Sequence, residues 1–251
     1  MVDLRGCEFV FPAAVLWCVV YPLLAKSRGT QSQVLVPTNF GVCTYLESLG
    51  VFDILKQGEV VVDDRGVPRK PDTKLVLPVS RFNSQSEVED LANKALDNLM
   101  GRDLGAANLR SLVIEVFAEL ALNAVQHASS TIGAFGFIQF YQFEKGNRFI
   151  CVVADGGIGI RRSLERNPAL RDRVFYDWDA IELATRERVS GTGDPTRGIG
   201  LFGVSEDMRK PGRQLIITSG IGALAIEEDL LSRAWRTVLF PGTLAYASIP
   251  T

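Results

Sequence analysis

The spacing of hydrophobic residues over the first 55 positions predicts strands alternating with helices. Short apolar runs predict strands over 7–11 and 33–36. A longer apolar segment that follows a proline predicts a buried helix over 13–27, and a second helix is predicted over about 39–49. A short turn is expected at 51–55. Strand, helix, strand and helix within so few residues predict a small parallel α/β unit.

A larger set of elements is predicted from Lys74 onward. Strands are predicted over 74–82, 132–143, 147–154 and 213–219, with 221–225 as an extension, and helices over 84–100 and from about 106 to beyond 119. Pro78 is expected at a sheet edge or bulge, and Ser84 and Glu87 have capping-box spacing. The polar, proline-containing stretch over 63–72 is predicted to be a linker or a hairpin loop. We therefore expect an α/β protein with two units, residues 1–72 and 73–251.

Two further segments interrupt this pattern. Residues 161–196 are rich in arginine and end in a glycine-containing loop, which is typical of a lid that closes over a ligand. Residues 227–240 are predicted to be an insertion before the last strand, and the sequence assigns it no function.

One predicted helix carries a polar stripe on an otherwise apolar background. Glu119, Asn123 and His127 are spaced i, i+4 and i+8, so they share one face of the helix. Burying such a stripe without partners would be costly, which favours a face that opens into a cleft. An asparagine oxygen suits Mg²⁺, and a glutamate can act as a base.

Glycine-rich turns follow at two places. Asp155 comes directly after an apolar run that predicts a buried strand, and Gly157 and Gly159 follow it, so the backbone there can approach a ligand closely. The second turn, Arg197-Gly198-Ile199-Gly200-Leu201, is predicted to open a helix. Backbone N–H groups at such a helix start bind phosphate, and an arginine adds charge-assisted hydrogen bonds.

The order Glu-x-x-x-Asn-x-x-x-His, Asp-x-Gly-x-Gly and Gly-x-Gly-Leu resembles the GHKL ATPase superfamily over roughly residues 74–251. That superfamily includes gyrase B, Hsp90, the MutL proteins, histidine-kinase catalytic domains and the bacterial anti-sigma-factor serine kinases. The resemblance implies a two-layer α/β sandwich that binds ATP with Mg²⁺. Residues 242–243, a Gly-Thr pair before a last strand, are similar to the ending of that family. The chain contains no P-loop motif.

The resemblance also implies a role for each motif residue. Glu119 would be the catalytic base, and Asn123 would hold the metal. Asp155 would bind the adenine amino group, with Thr243 beside the base. The remaining nucleotide-binding positions that it implies are His127, Gly157, Gly159, Ile160, Arg197, Gly198, Gly200 and Leu201.

The first unit resembles STAS domains, the fold of anti-sigma-factor antagonists, in its pattern alone. The segment over 45–52 is similar to the helix-to-terminus region of such domains. A full STAS domain is longer, so the unit is expected to be truncated or to pack as an extension of the ATPase.

Composition narrows the classes of function. The net charge of −2, without a basic block, argues against direct nucleic-acid binding. Four cysteines in apolar runs without metal-like spacing are typical of reduced core residues, so a cytoplasmic location is expected. The uncharged stretch over 9–25 is short for a membrane span and contains two prolines, so no membrane role is expected.

Four functions remain open on the sequence. The first is phosphoryl transfer to a serine or threonine of a regulatory partner protein, as in the anti-sigma-factor kinases. A histidine-kinase catalytic domain is less favoured because the one histidine, His127, already lies in the nucleotide-site helix. A gyrase- or MutL-like ATPase is less favoured because those proteins carry a further domain after the ATPase. An ATP-sensing module without turnover is the fourth, and a homodimer is left open.

Overall fold

The computed structural model describes residues 1–63, 75–101, 106–143, 146–186, 189, 200–228 and 233–251. They form a mixed α/β structure with two sheets. One is a parallel three-stranded sheet of order β1-β2-β3, and the other is an antiparallel five-stranded sheet of order β4-β5-β6-β8-β7. The predicted α/β class is therefore confirmed. The predicted unit boundary at 72/73 lies outside the described residues and stays a prediction.

The first 63 residues build the parallel sheet and three helices. The elements are β1 (Val2–Asp3), α1 (Pro12–Ser27), β2 (Gln33–Leu35), α2 (Phe40–Ser48), α3 (Val51–Gln57) and β3 (Val61–Asp63). Pro12 begins α1, where a missing N–H has no cost, and the Asn39 side chain caps α2 by accepting from the N–H of Val42.

Two predictions for this unit were wrong. The strand expected at 7–11 has no regular structure, because the N–H of Cys7 turns back to the carbonyl of Leu4 and so cannot join a ladder. The strand that pairs with β2 is Val2–Asp3 instead. The turn expected at 51–55 is the helix α3, which starts after Gly50 in the left-handed conformation (φ +80°).

The described residues from Leu75 onward form the antiparallel sheet and five α-helices. The elements are β4 (Leu75–Phe82), α4 (Gln85–Met100), α5 (Ala107–His127), β5 (Ala134–Phe143), β6 (Gly146–Asp155), α6 (Gly159–Glu165), a 3₁₀ turn (Arg171–Arg173), α7 (Asp177–Ala184), α8 (Gly200–Met208), β7 (Gln214–Glu227) and β8 (Arg233–Pro250).

Short sequence patterns predicted features of several of these elements correctly. The predicted capping box of Ser84 and Glu87 is present at the start of α4. Pro78 lies on the edge strand β4, where the register with β5 shifts between Leu77 and Ser80. A proline without an N–H is tolerated at such a position, so this prediction is confirmed.

The predicted insertion over 227–240 is instead part of a long hairpin. Residues from Arg233 onward already belong to β8, and Trp235 and Arg236 pair with Ala223 and Gly222 of β7. Of the predicted lid, residues 161–186 hold most of α6, the 3₁₀ turn and α7, whereas the loop over 190–196 lies outside the described residues.

The five-stranded sheet is covered on both faces. On the front face, α4, α5 and α8 pack on alternate strand residues such as Ile138, Val153 and Ile217. On the back face, α1–α3 pack on the intervening residues, including Phe137 and Val152. The small unit thus supplies half of the core around the sheet. Among the described helices, none is long and apolar enough to cross a bilayer.

Candidate functional site

The polar stripe of α5 lies beside the end of the sheet at which β6 ends. Asn123 and His127 line a pocket there. Glu119 lies one turn earlier and faces α8: a Cβ placed on Gly200 would lie 2.1 Å from its Oε2. The predicted stripe is therefore divided between the pocket and the start of α8.

The Asn123 side chain is oriented by its own helix. Its Nδ2 donates to the backbone carbonyl of Glu119 at 2.7 Å. Because the amide nitrogen is used in this way, the amide oxygen is the atom that can accept a hydrogen bond or bind a cation.

Asp155 ends β6 and is the most deeply buried charged group in the pocket. Only 2% of its surface is exposed. Burial raises the pKa of its carboxyl group to about 7, although the backbone N–H groups of Gly157 and Thr243 oppose the shift by donating to it. The Gly157 hydrogen bond measures 2.7 Å to Oδ1. A carboxylate has about four acceptor positions, so two bonds leave it able to accept from a ligand.

The loop after Asp155 requires glycine because it lies against the end of α5. A Cβ on Gly157 would lie 2.0 Å from the carbonyl oxygen of Ala128, and the same oxygen accepts from the N–H of Ile158 at 2.8 Å. Gly159 has a φ of +78°, which favours glycine. These glycines therefore allow the loop to pack against the end of α5, whereas the predicted close approach to a ligand stays a prediction.

A second glycine on β8 is equally constrained. A Cβ on Gly242 would lie 2.3 Å from the carbonyl oxygen of Asp155, and its φ is +100°. Glycine at this position therefore allows the Gly242-Thr243 segment of β8 to lie directly against the Asp155 loop.

Ser219, inside β7, joins these two segments and was not predicted from the sequence. Its hydroxyl accepts from the N–H of Ile160 at 2.9 Å and donates to the carbonyl of Gly242 at 2.9 Å. It also lies 3.3 Å from the Thr243 hydroxyl. The available signal was a polar residue that ends an apolar strand run and precedes Gly220.

The pocket between these elements measures about 790 Å³ including its mouth. Its polar lining residues are Asn123, His127, Asp155, Ser163 and Thr243. Its apolar lining residues include Leu120, Val153, Ile160, Leu164, Ala184, Val189, Leu201, Ile217 and Ala245. A few polar groups in a largely apolar wall are typical of a site that binds a flat, partly polar molecule.

The outer wall of the pocket is fixed to the sheet through Asp177. Its Oδ2 accepts from the N–H of Ile221 at 2.8 Å. A Cβ on Gly222 would lie 2.4 Å from the backbone nitrogen of Trp178, so α7 lies directly on β7. The helical part of the predicted lid is therefore a packed wall.

The structure brings together most of the predicted binding residues. Asn123, His127, Asp155, Gly159, Ile160, Leu201 and Thr243 line the pocket. Gly157 lies behind Asp155, and Glu119 and Gly200 contact each other outside the lining. Arg197 and Gly198 are outside the described residues.

The metal prediction depends on a single protein ligand. No cluster of three or more His, Cys, Asp or Glu side chains suited to a metal occurs among the residues described here. Mg²⁺ is often held by one or two protein oxygens together with water and substrate phosphates, so Asn123 alone is compatible with Mg²⁺ that arrives with a nucleotide.

Comparison with known proteins gives no family assignment: no family model matches the chain, and no curated protein matches it significantly.

Proposed function

We propose that this chain binds Mg²⁺–ATP in the pocket and transfers a phosphoryl group to a serine or threonine of a partner protein. The observation that carries the proposal is Asp155, a buried carboxylate with remaining acceptor capacity in a largely apolar pocket that Asn123 and Thr243 also line. A carboxylate buried to this extent is costly even with two backbone donors, and a ligand amine that donates to it would offset part of that cost.

The adenine base would occupy the sheet end of the pocket. Its exocyclic amine would donate to Asp155, with the Thr243 hydroxyl close to the base and Ile160 and Val153 against its faces. The glycines at 157, 159 and 242 support this site because they keep the backbone close around the carboxylate. A hydrogen bond to a charged group contributes about 1.5–3 kcal/mol, which is enough to select adenine over a base without an amine.

The phosphate groups would lie toward Asn123 and the start of α8. The Asn123 amide oxygen would bind Mg²⁺, which neutralises phosphate charge when it is bound. Gly200 is the first described residue of α8, and backbone N–H groups at the start of a helix favour anions. The predicted phosphate contacts of Arg197 and Gly198 remain expectations.

Glu119 would align the acceptor hydroxyl. Its carboxylate lies beside Gly200, near the position expected for the phosphates. General-base catalysis requires hydrogen-bond reach to the hydroxyl, and such geometry often forms only with substrate bound.

A second candidate function is ATP binding without turnover. It is favoured by the position of Glu119, which faces α8 and does not line the pocket. In that case, ATP would change the shape of the protein and so its affinity for a partner.

Labelled ATP and calorimetry distinguish these functions. The purified chain should bind ATP in a Mg²⁺-dependent manner, and Asp155→Asn should weaken that binding about tenfold or more. Asp172→Asn, on an exposed carboxylate of the 3₁₀ turn, is the matched control. No detectable heat with ATP or ADP would reject the site itself.

The phosphate acceptor can be identified by incubating the protein with labelled ATP in a native cell extract. Label on a partner serine or threonine supports the kinase, free phosphate alone indicates an ATPase, and binding without either product indicates the sensor. Glu119→Gln should abolish transfer while binding persists, and Glu115→Gln, one turn earlier on the exposed side of α5, should leave both unchanged.

A further inference from the structure

A second cavity lies where the small unit meets the five-stranded sheet, on the face opposite the nucleotide pocket. We call it the seam cavity; it measures about 590 Å³ including its mouth. The end of α1 and α3 form one side, and β4 with the start of β5 forms the other. Its apolar lining consists of Leu23, Ile54, Ile132 and Phe135.

The polar lining of the seam cavity is cationic and rich in hydroxyls. Lys26 and Arg81 come from opposite sides of the seam. Ser27 and Thr131, whose hydroxyls lie 3.4 Å apart, also bridge the two sides. None of the residues described as lining the cavity is acidic.

One carboxylate lies near these cations without lining the cavity. Glu59 contacts Nζ of Lys26 at 3.2 Å, and 80% of the Glu59 side chain is exposed. An ion pair that exposed contributes little free energy and is easily exchanged. An anion entering the cavity can therefore replace Glu59 as the partner of Lys26.

We infer that the seam cavity is a binding site for a small organic anion, with a carboxylate or phosphate head and a short apolar body. Lys26 and Arg81 bind the head, with the two hydroxyls as additional donors. The apolar body packs against Ile132, Phe135 and Leu23. A lysine and an arginine that line one cavity from separate elements favour an anionic head. The apolar lining favours an apolar body, because its burial removes apolar surface from water.

The test uses hexanoate and hexyl phosphate as probes, with 1-hexanol as the neutral control and inorganic phosphate as the head alone. Ligand-observed NMR on the full chain should detect hexanoate or hexyl phosphate with a dissociation constant of about 1 mM, as expected for so few atoms. The two probes distinguish a carboxylate source from a phosphate source. Hexanol and inorganic phosphate should bind at least about tenfold more weakly, which corresponds to about 1.4 kcal/mol.

Variants locate the binding site. The double variant Lys26→Gln with Arg81→Gln should lose at least about tenfold in affinity for the anionic probe. Arg28→Gln removes an exposed charge close to Lys26 that does not line the cavity, so affinity should be unchanged. An unchanged urea midpoint in all variants shows that folding is intact.

Three results would overturn the inference. They are the absence of binding by both anionic probes, binding of hexanol as tight as that of the anions, and full binding in the double variant. Tight binding of inorganic phosphate alone would also reject the amphipathic ligand. None of these measurements involves ATP, so their outcome does not depend on whether the first pocket binds a nucleotide.

Discussion

The two faces of the five-stranded sheet are built from the same strands but end differently. On β6, Ile150, Val152 and Ala154 face the small unit, whereas Cys151 and Val153 face the helices α4, α5 and α8. Because side chains alternate along a strand, Asp155 lies on the front face, which α4, α5 and α8 cover.

The neighbouring strands repeat this arrangement at the same end. On the front face, Thr243 precedes Ala245 and Ala247 on β8, and Ser219 follows Ile217 on β7. Three adjacent strands therefore place a polar residue on the front face at the same level of the sheet. The back face of the same strands is mostly apolar and serves as core, with Thr218 and Ser248 as buried polar residues.

The largest effect should come from the turn that closes the front face. Gly157→Ala would place a Cβ within 2.0 Å of the Ala128 carbonyl, so the backbone must move. We expect a loss of about 3 kcal/mol or more in the free energy of unfolding, together with loss of ATP binding. Urea denaturation and calorimetry measure both.

The matched control is Gly203→Ala on α8, where a Cβ would have nothing within 4 Å. Alanine is favoured over glycine in a helix, so stability should be unchanged or higher by about 0.5–1 kcal/mol. Equal stability of the wild type and the Gly157 variant would show that the loop can shift away from α5.

Much of this arrangement follows from sequence pattern, and part of it does not. Apolar periodicity and capping residues predicted α4 and α5 because those signals are local. The pairing of residues 233–240 with β7 was missed, since it is interrupted by register shifts between Ser219 and Gly222 that no local pattern encodes.

The site shows the same division. The motif residues Asn123, Asp155 and Thr243 were predicted to share a pocket and they do. Ser219 and the Ala128 carbonyl act through contacts between distant parts of the chain, and only the fold reveals them. Packing of the first unit on the larger one was one of two alternatives left open by the sequence. The face that α1–α3 cover could not be predicted, because apolar faces do not specify their partners.

The second prediction uses the buried carboxylate, which is specific to the front face. The pKa of Asp155 is raised to about 7 in the folded state, so the neutral form is favoured there. Its contribution to stability is fully present below the unfolded pKa and is lost as pH rises through about 7. Between about pH 5 and pH 8 the wild type should lose about 1–3 kcal/mol that Asp155→Asn does not lose.

Urea titrations of both proteins across this range give the comparison. ATP affinity should change in the opposite direction in the wild type, rising with pH as the acceptor carboxylate ionises. Parallel stability profiles for wild type and variant would contradict a raised pKa at this position.

The third prediction compares adjacent residues on opposite faces. Val152 packs in the back core, and Val153 lines the pocket. Val152→Ala should reduce the free energy of unfolding by about 2 kcal/mol, and Val153→Ala by about 1 kcal/mol, since its methyl groups already border open space. ATP affinity should fall only for the Val153 variant. Equal losses of stability would show that the pocket wall is packed as tightly as the core.

The fourth and smallest effect tests whether the two faces communicate. Ile132 lines the seam cavity, and a Cβ on Gly156 would lie 2.8 Å from its Cδ1, so the seam directly supports the residue after Asp155. An anion that packs against Ile132 should hold this loop in its binding conformation and tighten ATP binding about fivefold. Calorimetry with ATP at saturating hexanoate measures the effect, and ATP should tighten hexanoate binding by the same factor because linkage is reciprocal.

The double variant Lys26→Gln with Arg81→Gln should bind ATP normally but show no response to hexanoate. An ATP affinity that stays constant while hexanoate saturates the wild type would show that the two sites act independently.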